Sequence, residues 1–132
     1  MKHIIYLAIF VALISNSACK KSKPSGPAAE ANIAFTIDAN ATNTSLSSSF
    51  PVTVTLTSAM PSASGINIAA TVIDQTNNAT IAQNTGINST TAINNIQVIN
   101  LPRQHWCTVT VKVTSVATPS NTATKTFNVA FK

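Results

Sequence analysis

The amino-acid sequence predicts an all-β domain of about seven short strands behind an N-terminal leader. Its 132 residues suffice for one domain of ordinary size. Only 8% of the residues are charged, against about 25% in an average soluble domain, so solubility rests on Ser, Thr and Asn. Beyond residue 31 apolar residues recur at every second position, which is the period of a half-buried strand, and no segment shows the period of a helix.

Residues 1–18 have the layout of a secretory signal peptide. A short basic start, Met1 to His3, precedes an apolar run of 11 residues at 4–14, and small polar residues follow at 15–18. The apolar run is too short to cross a bilayer, which takes about 20 residues. We therefore predict that residues 1–18 are removed on export.

The residues at the end of this leader resemble the lipobox of bacterial lipoproteins, in which a small residue precedes a lipidated cysteine. Ser17 and Ala18 before Cys19 match that pattern, whereas Asn16 stands where the family usually has Leu. The resemblance implies acyl chains on Cys19 and anchoring in the bacterial cell envelope, at the outer membrane or cell surface. Ordinary cleavage after Ser17 is the alternative, and Cys19 could then pair with Cys107.

Residues 19–30 are predicted to be a flexible tether, and residues 31–132 the folded domain. The tether mixes Lys, Pro, Gly, Ser and Ala without apolar periodicity. Its lysines either approach anionic lipid headgroups or serve solubility. The domain carries Arg103, Lys112, Lys125 and Lys132 against Asp38 and Asp74. Such thinly spread charge forms no basic patch, so we expect no nucleic-acid partner.

Seven segments of the domain alternate or cluster apolar residues between turn-forming stretches. The first three are 33–37, 52–57 and 66–73, and the others are 80–83, 92–99, 105–114 and 127–131. The stretches between them are rich in Ser, Asn, Pro or Gly and are predicted to be loops: 45–50, 58–65, 74–78, 84–89, 100–104 and 115–121.

The sixth segment has the strictest alternation. Cys107, Val109, Val111 and Val113 fall on one face, and Thr and Lys residues fall on the other. Cys107 is therefore expected to pack in the core as a small apolar residue. A reactive thiol, or a disulfide to a second chain, is the alternative for an unpaired cysteine in an exported protein.

About seven short strands in about 100 residues describe an immunoglobulin-like β-sandwich. Leu101 and Pro102, followed by inward-facing Cys107 and Val109, resemble the corner between the fifth and sixth strands of fibronectin type III domains. Cys107 stands where that family has a Tyr, so the hydrogen bond of the tyrosine corner is absent. The resemblance covers residues 31–132 and implies a seven-stranded, immunoglobulin-like or fibronectin type III-like sandwich.

This strand order predicts which loops lie together. The tether should enter at the end that holds loops 58–65, 84–89 and 115–121, and the corner 100–106 and the turn 74–78 should lie at the opposite end. That corner contains Arg103, His105 and Trp106. Arg103 and Trp106 are the only Arg and the only Trp of the sequence, and His105 is the only His after residue 3.

Because Trp and Arg are enriched in binding hot spots, these three residues are the candidate contacts with a protein or glycan partner. Trp106 shares the outward phase of Thr108 on the sixth strand, which favours exposure. The alternative is that it caps the end of the core. Met60 is a second candidate contact, unless it packs within its own loop.

The sequence offers little for chemistry. Its acids and bases after the leader are His105, Glu30, Asp38 and Asp74, and they form no recognisable catalytic constellation. Metal ligands are too few, and no glycine-rich phosphate loop is present. We predict a non-enzyme without catalytic residues, metal, cofactor or evident small-molecule substrate.

Two functions remain open from the sequence. The first is a lipid-anchored binding or adhesion module, which predicts an exposed Trp106 beside Arg103 and His105. The second is a structural or assembly lipoprotein of the envelope that packs against other proteins without a small ligand. It predicts a buried Trp106 and an apolar or unprotected edge strand.

Overall fold

The computed structural model describes residues 28–132, so the predicted signal peptide, Cys19 and most of the predicted tether lie outside the described residues. Within these residues the chain forms nine strands and no helix. The strands are β1 (Phe35–Ile37), β2 (Thr42–Ser45), β3 (Phe50–Leu56), β4 (Ile66–Asp74), β5 (Thr80–Ile81), β6 (Ile87–Ser89), β7 (Ile93–Val98), β8 (Trp106–Ser115) and β9 (Thr122–Phe131).

The strands form two sheets that enclose one core. The smaller sheet has the order β1-β3-β7, and the larger has the order β2-β9-β8-β4-β5, with β6 also paired to β4. All pairs are antiparallel except β2 with β9, which is parallel. The all-β prediction is thus confirmed, with the sheets in a sandwich-like arrangement.

Strand β8 confirms the strictest sequence pattern. Cys107, Val109, Val111 and Val113 are all fully buried, and the intervening residues face outward. Opposite them the smaller sheet contributes Val52 and Val54, which are also buried. Burying one face of each sheet against the other provides the main driving force for this fold.

The predicted count of seven strands is too low by two. Strand β2 was not predicted, because its Thr-Asn-Thr-Ser sequence has no apolar alternation and only Ser45 is buried. Its stability comes from backbone pairing with β9 and from the Ser45 hydroxyl, which lies 2.7 Å from the Ser49 carbonyl oxygen. Strand β6 lies within the predicted loop 84–89, and its pairing to β4 does not depend on apolar periodicity.

Several predicted bounds also move. Strand β9 begins at Thr122 rather than at 127, because its first five residues are mostly polar yet complete the ladder with β8. Conversely, β5 has only two residues, against four in the predicted segment 80–83. Backbone pairing with the ten-residue β8, which apolar patterns do not report, accounts for the longer β9. Strand β5 pairs with β4 only at Thr80 and Ile81, so its apolar segment exceeds its ladder.

The loops fall into two groups, at opposite ends of the sandwich. The end that holds residues 28–34, 57–65, 90–92 and 116–121 is called the near pole. The end that holds residues 46–49, 74–79 and 99–105 is called the far pole. This grouping agrees with the predicted ends for loops 58–65 and 115–121, the corner and the turn 74–78. The predicted loop 84–89 instead contains β6, and residues 90–92 form the near-pole loop. At the near pole Gly65 has a φ of 78°, and a Cβ there would collide with the Ser89 backbone oxygen.

The chain enters the domain at the near pole, where Glu30 is hydrogen bonded to two loop side chains. The Ser115 hydroxyl donates to Oε1 at 3.1 Å, and Asn121 Nδ2 donates to Oε2 at 3.2 Å. Asn121 also binds the backbone of Ala31 and Ile33. Glu30, the last residue of the predicted tether, is therefore attached to the sandwich.

Candidate functional site

The predicted corner is a compact loop, residues 99–105, that leads from β7 to β8. Leu101 is buried beneath it, and its N–H donates to the Ser48 carbonyl oxygen at 2.8 Å. Asn100 and Gln104 adopt left-handed backbone conformations, with φ of 60° and 62°. Gln104 N–H donates to the Phe131 carbonyl oxygen at 2.6 Å, so the corner is attached to the end of β9.

The three predicted contact residues stand on this corner or directly after it. Arg103 is exposed, and the His105 side chain is about a third exposed, at 36%. Trp106, the first residue of β8, is 41% exposed. The exposed alternative for Trp106 is therefore confirmed, and the core-cap alternative is wrong.

Trp106 lies on the outer face of the larger sheet because β8 alternates from this residue onward. In register it stands opposite Ala130 of β9, which faces the same side and is only 6% exposed. Because Ala130 faces outward and is still buried, a neighbouring side chain must shield it from solvent. Trp106 is the large side chain opposite it in the register. Part of the indole thus lies over β9, and the rest faces solvent.

His105 is held by a carboxylate that the sequence placed only in a turn. Asp74 ends β4, and its Oδ2 lies 2.7 Å from His105 Nδ1, while its Oδ1 accepts from the Thr76 N–H at 2.8 Å. These hydrogen bonds, from His105 first and then from Thr76, lower the pKa of the Asp74 carboxyl despite its burial. Asp74 thereby joins turn 74–79 to corner 99–105.

Cys107 is a free, fully buried thiol directly opposite Asp74 in the register of β4 and β8. Burial raises the pKa of the Cys107 thiol, and the negative charge of Asp74 raises it further. The carboxylate that orients His105 thus opposes formation of a thiolate at Cys107, and such a thiol is a poor nucleophile. Core packing of Cys107 is confirmed.

A polar cluster that was not predicted lies beside Trp106 on the outer sheet face. Gln75 Nε2 donates to Thr108 Oγ1 and to Asn128 Oδ1, both at 2.9 Å, and the Thr108 hydroxyl donates to Asn128 at 3.2 Å. The backbone N–H of Gln75 also donates to the Trp106 carbonyl oxygen at 2.9 Å. These bonds connect the ends of β4, β8 and β9 in one fixed arrangement.

A shallow pocket of about 240 Å³ opens between Trp106 and this cluster. It is lined by Thr42, Gln75, Trp106 and Asn128, which come from four separate parts of the chain. Thr42 belongs to β2, the strand that the sequence did not predict, and it pairs with Asn128. Of the three predicted contact residues, only Trp106 lines this pocket.

The other candidates contribute less to a surface. Met60 is half-buried and packs against the core of the sandwich rather than only within its own loop. In residues 28–132 no three His, Cys, Asp or Glu side chains lie close enough together to hold a metal ion. That same part of the chain contains no helix of the length and apolarity that a membrane span requires.

Comparison with protein-family models, with curated proteins and with solved structures finds no match to this chain.

Proposed function

We propose that this chain is an exported, lipid-anchored β-sandwich without catalytic activity that binds a protein or glycan partner through its far pole. The observation that carries the proposal is the 41% exposure of Trp106, on a rigid sheet face beside exposed Arg103 and partly exposed His105. Trp and Arg are enriched in binding hot spots, so an exposed Trp close to an exposed Arg is a candidate anchor for a partner.

The proposal includes an immunoglobulin-like or fibronectin type III-like fold. It is supported by the division of the strands, with β1, β3 and β7 in one sheet and β4, β8 and β9 in the other. In chain order these positions match the first, second and fifth strands and the third, sixth and seventh strands of that fold. Leu101 and Cys107, the buried residues of the predicted corner, fit the same comparison.

The proposal also includes lipidation of Cys19. Because Glu30 binds the near pole, an anchor 11 residues upstream would leave the far pole facing away from the membrane. The test is the intact mass of the protein extracted from membranes of the cells that make it, compared with a Cys19→Ala variant. An acylated N-terminal Cys19 supports the anchor, and an unmodified soluble chain that begins at Ala18 overturns it.

The binding function is tested in cells with a photo-reactive phenylalanine analogue at Thr44. Thr44 is exposed and pairs with Ala130, the same residue that Trp106 faces from the other side. The matched control is the same analogue at Thr124, which is exposed on the outer face of β9 toward the near pole. Adducts from position 44 that disappear in a Trp106→Ala background support the proposal.

Two results would overturn it. One is the absence of adducts at position 44, and the other is equal adduct formation at positions 44 and 124. Digestion of the adducts with protease or oxidation with periodate then separates a protein partner from a glycan partner. Each variant is first compared with the wild type by circular dichroism, so that loss of an adduct reflects the surface and not the fold.

An assembly function is a second candidate, and one observation favours it. Strand β7 is one of the two edge strands of the smaller sheet, and it contains no charged residue or proline that would block pairing. The bond from Leu56 N–H to the Ala92 carbonyl oxygen fixes which residues of β7 bind β3. By alternation, the backbone groups of Asn95 and Gln97 point away from β3.

Side chains cover the two ends of this edge. Gln83 binds both the N–H and the carbonyl oxygen of Ile99, each at 2.8 Å, and the Thr91 hydroxyl donates to the Ile93 carbonyl oxygen at 3.1 Å. In residues 28–132 no hydrogen bond engages the outward backbone groups of Asn95 and Gln97, in the middle of β7. Residues 83–87 lie near them across a cavity of about 210 Å³, and a pairing strand would have to enter there.

Sedimentation of the detergent-extracted full chain tests this candidate. Edge-to-edge pairing predicts a dimer that the Asn95→Pro variant loses, because the proline removes an outward N–H and leaves the ladder with β3 intact. The matched control is Asn67→Ala, which alters an outward side chain of β4 and no edge backbone. A monomeric wild type would refute edge pairing between copies.

A further inference from the structure

The side chains beside Trp106 have fixed amide orientations. Gln75 Nε2 gives both of its hydrogens to neighbours, one to Thr108 and one to Asn128 Oδ1. Asn128 Oδ1 also accepts from the Thr108 hydroxyl. These bonds leave the other atom of each amide, Gln75 Oε1 and Asn128 Nδ2, without a hydrogen bond among residues 28–132.

Three polar groups are consequently available to a ligand. Within the described residues no hydrogen bond engages Gln75 Oε1, Asn128 Nδ2 or the Thr42 hydroxyl, and all three residues line the pocket. They present one acceptor, one donor and one group that can act as either. Neighbouring hydroxyls on a sugar ring offer the complementary set, since each can both donate and accept.

The fourth residue that lines the pocket is Trp106, which is 41% exposed. An aromatic face binds flat, partly apolar groups, and the C–H face of a pyranose ring is such a group. None of the four residues that line the pocket is charged. The lining residues therefore offer no ion pair that would favour a charged ligand over a neutral one.

We propose that this pocket binds an uncharged pyranose ring of a glycan, with the ring stacked on Trp106 and its hydroxyls bound by Gln75, Asn128 and Thr42. This inference rests on the proposed binding function and names the ligand class. It also assigns recognition to three residues that the sequence did not identify as contacts. Arg103 and His105 lie outside the pocket lining and are not required for this ligand.

The chain reports on this site directly because Trp106 is its only tryptophan. The detergent-extracted full chain is titrated with soluble neutral oligosaccharides of glucose, galactose, mannose and N-acetylglucosamine, while its fluorescence is recorded. The inference predicts a saturable change in emission with at least one of them. The apparent affinity should stay constant from about 0.05 M to about 0.5 M NaCl, because no ion pair contributes.

Variants identify the groups involved, with affinities measured by calorimetry. Trp106→Ala should weaken binding by at least about tenfold, and Trp106→Phe should retain part of it. Asn128→Asp keeps the oxygen that accepts from Gln75 and loses the Nδ2 donor. We expect its affinity for the oligosaccharide to fall by about tenfold. Thr124→Ala, on the same sheet face outside the pocket, is the matched control and should bind like the wild type.

Three results would overturn the inference: no fluorescence change with any neutral oligosaccharide, stronger binding of an oligogalacturonate that weakens with salt, or unchanged affinity in Asn128→Asp and Trp106→Ala. The crosslinking at Thr44 is independent of these titrations. Adducts at position 44 without sugar binding would leave the binding function standing and reject the sugar, whereas failure of both experiments would reject both.

Discussion

Each pole of the sandwich contains a hydrogen-bonded carboxylate, but the two carboxylates differ in their partners. At the near pole, Glu30 accepts from the uncharged side chains of Ser115 and Asn121. At the far pole, Asp74 binds His105 at 2.7 Å, with Asp74 at 5% and His105 at 36% side-chain exposure. A buried carboxylate paired with a titratable ring is more sensitive to change than a partly exposed one that binds amides and hydroxyls.

The difference shows what each carboxylate does for the domain. Glu30 holds the entering chain against loop 116–121, which is a local attachment. Asp74 joins turn 74–79 to corner 99–105, and the residues on either side of this link, Gln75 and Trp106, line the proposed sugar pocket. The far-pole carboxylate thus supports the binding surface, and the near-pole carboxylate supports the attachment of the tether.

Replacement of Asp74 by Ala should produce the largest effect. It leaves the Thr76 N–H and His105 Nδ1 without the acceptor that the buried Asp74 carboxylate provides, so we expect the Tm to fall by several degrees. Asp38→Ala is the matched control, because Asp38 is exposed and accepts a single backbone bond from Thr53. Equal losses in the two variants would contradict the ranking of the carboxylates.

Acidification should separate the two poles further. The bonds from His105 and Thr76 lower the pKa of Asp74 in the folded state. The contribution of Asp74 to stability is therefore complete above the ordinary pKa of Asp, about 3.9. It is lost as the pH falls through the lower pKa of the folded state. Wild-type Tm should therefore fall steeply below about pH 4. Asp74→Asn should start lower at pH 7 and show a flatter profile.

The near pole provides the control for this pH profile. The pKa of Glu30 is also lowered, since hydrogen bonds from Asn121 and Ser115 outweigh the opposing effect of its desolvation. Its stabilisation is likewise lost at low pH, but Glu30 is only partly buried, whereas Asp74 is buried. The Tm of Glu30→Gln should consequently fall at low pH almost as much as the Tm of the wild type. If its pH profile were instead as flat as that of Asp74→Asn, the near pole would dominate the loss of stability in acid.

The sequence predicts the core of this fold because the core depends on local alternation. The burial of Cys107 and its three alternate valines follows from period two alone. The placement of corner 99–105 and turn 74–79 at one pole follows from strand order. The exposure of Trp106 agrees with its outward phase, although the sequence also allowed a core cap.

The sequence does not predict contacts between distant polar residues. His105 and Asp74 are 31 positions apart, and Gln75 and Asn128 are 53 apart, so no local pattern connects them. Strand β2, which brings Thr42 to the pocket, has no apolar period and forms by backbone pairing. The predicted site was therefore limited to neighbours in sequence, Arg103, His105 and Trp106, and missed three of the four residues that line the pocket.

Replacement of His105 by Ala should have a smaller effect than loss of Asp74. Asp74 keeps its bond from the Thr76 N–H, and water can reach the space left by a side chain that is 36% exposed. In a double-mutant cycle, the pair Asp74→Ala and His105→Ala should be hardly less stable than Asp74→Ala alone. Additive losses in thermal unfolding would show that His105 stabilises the pole through other contacts.

Replacement of Glu30 by Ala should have the smallest global effect, near the limit of detection by thermal unfolding, and a clear local one. Asn121 still binds the Ala31 carbonyl oxygen at 2.9 Å and the Ile33 N–H at 3.0 Å, so the chain stays attached but less firmly. Amide hydrogen exchange should become faster at Ile33 and remain unchanged at Gln75 of the far pole.

Asn121→Ala is the stronger near-pole variant, since it removes all three of these bonds at once. It should accelerate exchange at Ile33 more than Glu30→Ala does, whereas Asp74→Ala should accelerate exchange at Gln75 and spare Ile33. If either variant instead loosened both ends, the poles would be coupled through the sheets. The attachment of the tether would then influence the shape of the pocket beside Trp106, because local opening at one pole would no longer be independent of the other.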